Sequence, residues 1–171
     1  MKRLVLIPLL LAALTGVLWL GWQTGQAEHR MLYLVRHAEK ASGEDPDLLP
    51  CGRERAQQLG RWLTGRGIQA VYSSDTRRTR QTALLVADTL EVPVHYYDPR
   101  NLEALAETLL SAQGSLMVVG HSNTTPALAS LLLAQEAPAM GEGDYDRVYG
   151  VHLGQRGADK LILERQPFHC P

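Results

Sequence analysis

Short β-prone apolar runs alternate with helical stripes through most of the chain, and this alternation limits the folds open to it more than any other feature. Residues 31–35 form such a run, which ends in the charged string Arg36-His37-Ala38-Glu39-Lys40. A loop rich in Gly, Pro and acidic residues, 41–50, leads into Ala56, Leu59, Gly60 and Leu63 at helical spacing. Residues 69–73 read as a second strand, Ala83, Val86, Ala87 and Leu90 as a second helix, and 92–96 as a third strand. Leu102, Leu105, Ala106 and Leu109 mark a third helix, and the apolar strand 115–120 stops at His121. Thr125-Pro126 offers an N-cap and first helical position for a helix through Ala134. Residues 147–153 and 160–165 flank Gly154-Gln155-Arg156-Gly157 as a hairpin added to the sheet. The pattern predicts an α/β three-layer sandwich with a mainly parallel central sheet, in which ligands bind beyond the carboxyl ends of the strands. Arg36, His37 and His121 then share one rim.

The start of the chain departs from this pattern. Lys2 and Arg3 precede an uncharged apolar stretch, 4–22, followed by the small polar run Gln23-Thr24-Gly25-Gln26-Ala27. This is the form of an export signal; the stretch also approaches the roughly 20 residues that span a bilayer. Residues 1–27 are therefore expected to be a signal peptide or a membrane anchor, and 28–171 a single domain. The protein is expected in the periplasm, or on the inner membrane facing it. Export would place Cys51 and Cys170 where a disulfide can form, two buried thiols being the alternative. With 45% hydrophobic residues, 20% charged and a net charge of -1, the chain has no field that would favour nucleic acid.

Transfer of a phosphoryl group needs in-line positioning, neutralisation of its oxygens and an acid for the leaving group. Arginine matches phosphate oxygens in pairs, and a neutral imidazole carries a lone pair for attack. Arg36 and His37 suit capture and attack. The segment from Ser73 to Ala83 follows a strand and opens a helix, so its first turn would face an anion. Glu142, Asp144 and Asp146 lack the further oxygen ligands of a calcium loop and read as a solvated turn. His29, His95, His152 and His169 have no metal-ligand spacing and are left structural.

Three ordered motifs resemble the histidine phosphatase superfamily, also called the phosphoglycerate mutase-like family. They are Tyr33-Leu34-Val35-Arg36-His37-Ala38-Glu39-Lys40, Tyr72-Ser73-Ser74 through Arg78 to Gln81-Thr82-Ala83, and Met117-Val118-Val119-Gly120-His121-Ser122-Asn123. Ala38, Asp75 and Ser122 stand where the family commonly has Gly, Pro and Gly. The resemblance covers Met31 to about Leu133, and its compactness is similar to that of the small phosphohistidine phosphatases. It implies a phosphoric monoester or phosphoramidate hydrolase with His37 as nucleophile and a phosphohistidine intermediate. Arg36, Arg78 and His121 would hold the phosphoryl group, whereas Arg77 and Arg80 fall out of register. It implies no metal or organic cofactor. The family's acid lies after the third strand, where Asp98 is the first choice and Glu103 follows; an Asp98-Pro99 turn is the other reading. Glu39 is a further acid or substrate-binding candidate, or a partner of Lys40 or Arg78. Asn123 is a substrate-binding or helix-start residue. The expected partner is a small phosphorylated substrate or an envelope phosphoglycolipid, with attachment to the membrane through the N-terminal segment. A mutase-like phosphotransferase and a non-catalytic phosphate-binding module of the envelope are the rival readings.

Overall fold

A computed structural model describes residues 30–154 and 157–170. The expected signal or anchor, residues 1–27, and His29 lie outside the described residues, as does the centre of the 154–157 turn.

Strand β1 (Arg30–Arg36) is followed by helix α1 (Pro50–Leu63), which has proline in its first turn, and then by β2 (Ile68–Ser74). Helix α2 (Arg77–Leu90) leads to β3 (Val94–Tyr97), α3 (Leu102–Ser111) and β4 (Ser115–Gly120); α4 (Thr124–Leu133) precedes β5 (Arg147–Gly154) and β6 (Gly157–Arg165). The six strands form one sheet in the order β3-β2-β4-β1-β5-β6. β3, β2, β4 and β1 are mutually parallel, while β5 runs antiparallel to both β1 and β6. The sheet is thus mixed, which corrects the expectation of a mainly parallel one. The cause is the predicted hairpin: two strands joined by a tight turn must be antiparallel, and β5 joins the sheet antiparallel to β1.

Alternation along the strands builds two cores. Leu32, Leu34, Leu116 and Val118 face Leu105, Leu109, Leu128 and Leu132 of α3 and α4. Tyr33, Val35, Met117 and Val119 face Leu59, Leu63, Val86 and Ala87 of α1 and α2. Both faces of β1 and β4 are therefore dry, which is why these strands read as continuous apolar runs. The helical pair on the second face packs closely: a Cβ on Gly60 would lie 2.7 Å from Thr89 Cβ.

The C-terminal tail returns to α1. Cys170 is disulfide-bonded to Cys51. Four residues further along α1, Arg55 donates to the Phe168 carbonyl at 2.9 Å and to both oxygens of Glu39. Thr125-Pro126 does not begin α4; the helix starts at Thr124, and the Thr125 hydroxyl instead donates to the Val35 carbonyl at 3.1 Å.

Candidate active site

Parallel pairing of β1 with β4 sets Arg36 beside Gly120, so the two chain segments leave the sheet side by side. The His37 amide extends the ladder by donating to the Gly120 carbonyl at 3.0 Å. His121 lies across from it, with ring centroids 5.6 Å apart. Gly120 has no room for a side chain, since a Cβ there would lie 2.8 Å from Thr124 Oγ1 and 3.1 Å from the Tyr97 hydroxyl.

The His37 ring is buried, and its Nδ1 is 2.7 Å from the Ala38 carbonyl. A carbonyl can only accept, so Nδ1 carries the proton and Nε2 keeps its lone pair. Burial lowers the His37 pKa from 6.5 to about 3, and the Arg36 charge adds to this against the opposing effect of the Ala38 bond. His121 is lowered to about 4, first by burial and then by Arg78 and Arg36; its Nε2 is 2.9 Å from the Ser74 hydroxyl. Both imidazoles are neutral at pH 7. The unfolded chain takes up protons on these rings below about 6.5, whereas the folded chain refuses them down to about 4 and 3, so stability falls as pH falls through that window. The urea midpoint should drop between about pH 6.5 and pH 4, and the drop should be shallower in His37→Ala. The same slope in both proteins would remove His37 as a contributor.

A cleft of about 450 Å³ opens over this rim, lined by Arg36, His37, Arg78 and His121 together with Lys40 and Asn123. The Gln81-Thr82 motif acts behind it. Thr82 Oγ1 accepts from the Ala38 amide at 3.1 Å, and Gln81 accepts from the Leu48 amide at 2.8 Å. These bonds fix the backbone before the 41–50 loop and near the loop's end. Arg78 donates to Asp45 at 3.3 Å, whereas Arg77 and Arg80 turn away to Asp47 and Asp75. The buried Nε atoms of Arg36 and Arg78 have no hydrogen-bond partner among the described residues.

Of the expected site residues, Arg36, His37, Arg78, His121 and Asn123 come together. Asp98 does not. Its carboxylate accepts from the Arg100 side chain at 2.9 Å through both oxygens, and from the Arg100 amide at 3.0 Å. These bonds hold its pKa below the usual carboxylate value, and it lines a separate depression with Thr76 and Tyr96. The turn reading of Asp98-Pro99 describes it. Glu39 is likewise outside the cleft, clamped by Arg55 rather than by Lys40 or Arg78. Glu103 sits in the first turn of α3, away from the cleft.

The cleft carboxylate is Glu142, which had been grouped with a solvated turn. It accepts from the Ser122 hydroxyl at 2.6 Å and from Arg36 at 3.0 Å; these bonds, Ser122 first, hold its pKa low. Asp144 and Asp146 instead pair with Arg147 and Arg165. In the sequence Glu142 reads as part of a solvated turn, and nothing beyond its being a carboxylate in the link before β5 signals a place in the cleft.

The profile of the histidine phosphatase superfamily (branch 1) matches residues 32–100. A curated relative from Hydrogenobacter thermophilus, which carries the inferred name phosphoserine phosphatase 2, is 38% identical over 69 residues. That match covers 36% of this chain and 34% of the relative, so the chain spans about a third of the relative's length. The fold is similar to that of the protein histidine phosphatase SixA, solved with tungstate: TM-score 0.66 and 20% identity, over 80% of this chain and 97% of that one. A mycobacterial glucosyl-3-phosphoglycerate phosphatase gives a TM-score of 0.62 at 16% identity, over 80% and 97% of the two chains.

Proposed function

We propose, since this chain belongs to the histidine phosphatase superfamily, that it hydrolyses a phosphomonoester or phosphoramidate through a phosphohistidine formed on His37 Nε2. One observation carries this reading: the Nδ1 proton of His37 is committed to Ala38, which leaves a neutral nitrogen nucleophile beside two arginines whose buried Nε donors lack partners among the described residues. Arg36 and Arg78 neutralise the phosphoryl oxygens, which would otherwise repel attack. Nε2 forms the bond to phosphorus as the bond to the leaving group breaks. Water then attacks the phosphohistidine, inorganic phosphate departs, and the imidazole returns to its neutral state.

Glu142 is our choice for the proton donor to the leaving group. It is ionised beside Arg36, but a phosphoryl dianion arriving on Arg36 opposes that charge and raises the carboxyl's proton affinity. The substrate is a small phosphorylated molecule by the size of the cleft. The Cys51–Cys170 disulfide supports a site of action outside the cytoplasm.

The test is phosphate release by the full chain from p-nitrophenyl phosphate and from an alkyl phosphate, both in chelator. Release should persist. Glu142→Gln should slow the alkyl ester on the order of 10²-fold and the aryl ester less than about tenfold, because a phenolate departs with little protonation. No release from either ester or from a phosphoramidate by folded protein would overturn the hydrolase reading. Equal slowing of both esters would remove Glu142 from the acid role.

A further inference from the structure

The wall of the phosphoryl cleft does not end at Arg100. Pro99 and Arg100 also border a second depression, of about 710 Å³, whose floor and far side are Leu102, Ala127, Leu131 and Ala134, with Glu103 and Ser130 at its polar edge. One helix serves both. Thr124, in the first turn of α4, faces the cleft, and Ala127, Leu131 and Ala134 follow it toward the helix end. At 1.5 Å per residue this path is about 15 Å long.

Helix α4 is also unlike the other three helices among the described residues. Its ten residues, Thr-Thr-Pro-Ala-Leu-Ala-Ser-Leu-Leu-Leu, include no charge, whereas α1, α2 and α3 all carry charged residues. A helix that covers a sheet normally keeps its polar residues outward. Here Leu131 is 43% exposed in the groove, beside exposed Ala127 and Ala134. An apolar outer face that starts at the mouth of an anion-binding cleft has the chemistry of a binding surface.

We infer that this groove seats the apolar part of the leaving group, and that the substrate class is a phosphorylated amphiphile with an anionic head and a hydrocarbon tail. For the fate of the head this rests on the hydrolase reading; the seating of the tail does not. Charge separates the two halves. Arg36, Lys40 and Arg78 hold the head end, and the cation at the boundary, Arg100, is already neutralised by both oxygens of Asp98. A leaving group that passes over Pro99 and Arg100 therefore meets the alkyl surface of Leu102, Ala127, Leu131 and Ala134; the Ser130 hydroxyl is engaged by Pro126 and Ala137, and Glu103 is the one carboxylate in the lining. Covalent attachment to the bound head gives the tail a high local concentration there, which an independent partner would lack.

The probes are methyl-, butyl- and octylphosphonate, which cannot be hydrolysed, titrated below their micelle concentrations by calorimetry into the full chain. Burial in a groove open on one side should tighten Kd by about twofold per methylene, hence about 16-fold from butyl to octyl. Leu131→Glu, at an exposed helical position, should flatten that gradient to less than about twofold, while Leu131→Met should preserve it. A flat wild-type series, or an unchanged gradient in Leu131→Glu, overturns the inference. So does a wild-type dimer that Leu131→Glu splits while the series stays flat, since the groove would then belong to a second copy. A gradient without turnover of any ester supports the subsite and overturns the hydrolase reading; turnover with a flat gradient does the reverse.

Discussion

Replacing His37 by alanine is expected to abolish phosphate release, with a loss on the order of 10⁴-fold or more, because it removes the nitrogen proposed to form the covalent intermediate. The fold should survive the change. The His37 amide still donates to Gly120, and the backbone after it remains held by Thr82 on the Ala38 amide. Phosphate binding should also persist, since Arg36 and Arg78 keep their guanidiniums. Phosphate release, circular dichroism and phosphate affinity measured on one preparation therefore separate three readings. Loss of turnover with retained fold and binding supports the nucleophile. Equal turnover in the variant would sink the mechanism. Binding without turnover in the wild type would favour the phosphate-binding module.

The second large effect concerns stability. The disulfide between Cys51 and Cys170 closes a loop of 119 residues. A cross-link of that span restricts the unfolded chain strongly, and Cys170→Ser should lower the unfolding free energy by about 3–5 kcal/mol. The tail brings further contacts, because the Phe168 carbonyl and ring both meet Arg55. Urea titration of wild type and variant, each with and without reductant, gives the measurement. Reductant should destabilise the wild type to near the variant and leave the variant unchanged. A wild type indifferent to reductant would show that the tail adds little in solution. Activity need not follow stability, since Arg55 keeps its bonds to Glu39 when the tail is released.

The residues that could be read from the sequence are those whose position depends on a strand end. Arg36, His37 and His121 directly follow apolar runs, so a parallel β1–β4 pair was enough to unite them. Arg78 became readable through the register of the Ser-Ser and Gln-Thr-Ala motif, whose hydrogen bonds tie α2 to the 41–50 loop. Residues placed by loops and by distant packing were not readable. Asp98 has the right sequence neighbourhood for an acid, but it is taken by Arg100 two positions on, in a local turn that costs nothing in tertiary contacts. Glu39 is beside the nucleophile in sequence, yet α1 approaches so closely at Gly52 that Arg55 captures it; a Cβ on Gly52 would lie within 3 Å of the Glu39 backbone. Glu142 reaches Arg36 across a separation of 106 residues, and no local pattern encodes such a meeting. The mixed sheet has the same origin: each strand was visible, but the side on which the hairpin would dock was not.

The amide of His37 belongs to the sheet ladder through the Gly120 carbonyl, while Lys40, Pro99, Arg100 and Glu142 belong to loops. The nitrogen proposed to react is thus held through the sheet, and those other four groups around the cleft by loops, the parts of a fold that vary most. Insertions or substitutions in those loops can retune which molecule is accepted without moving the point of attack. A scaffold divided in this way can diversify its substrates along a lineage while its chemistry stays the same.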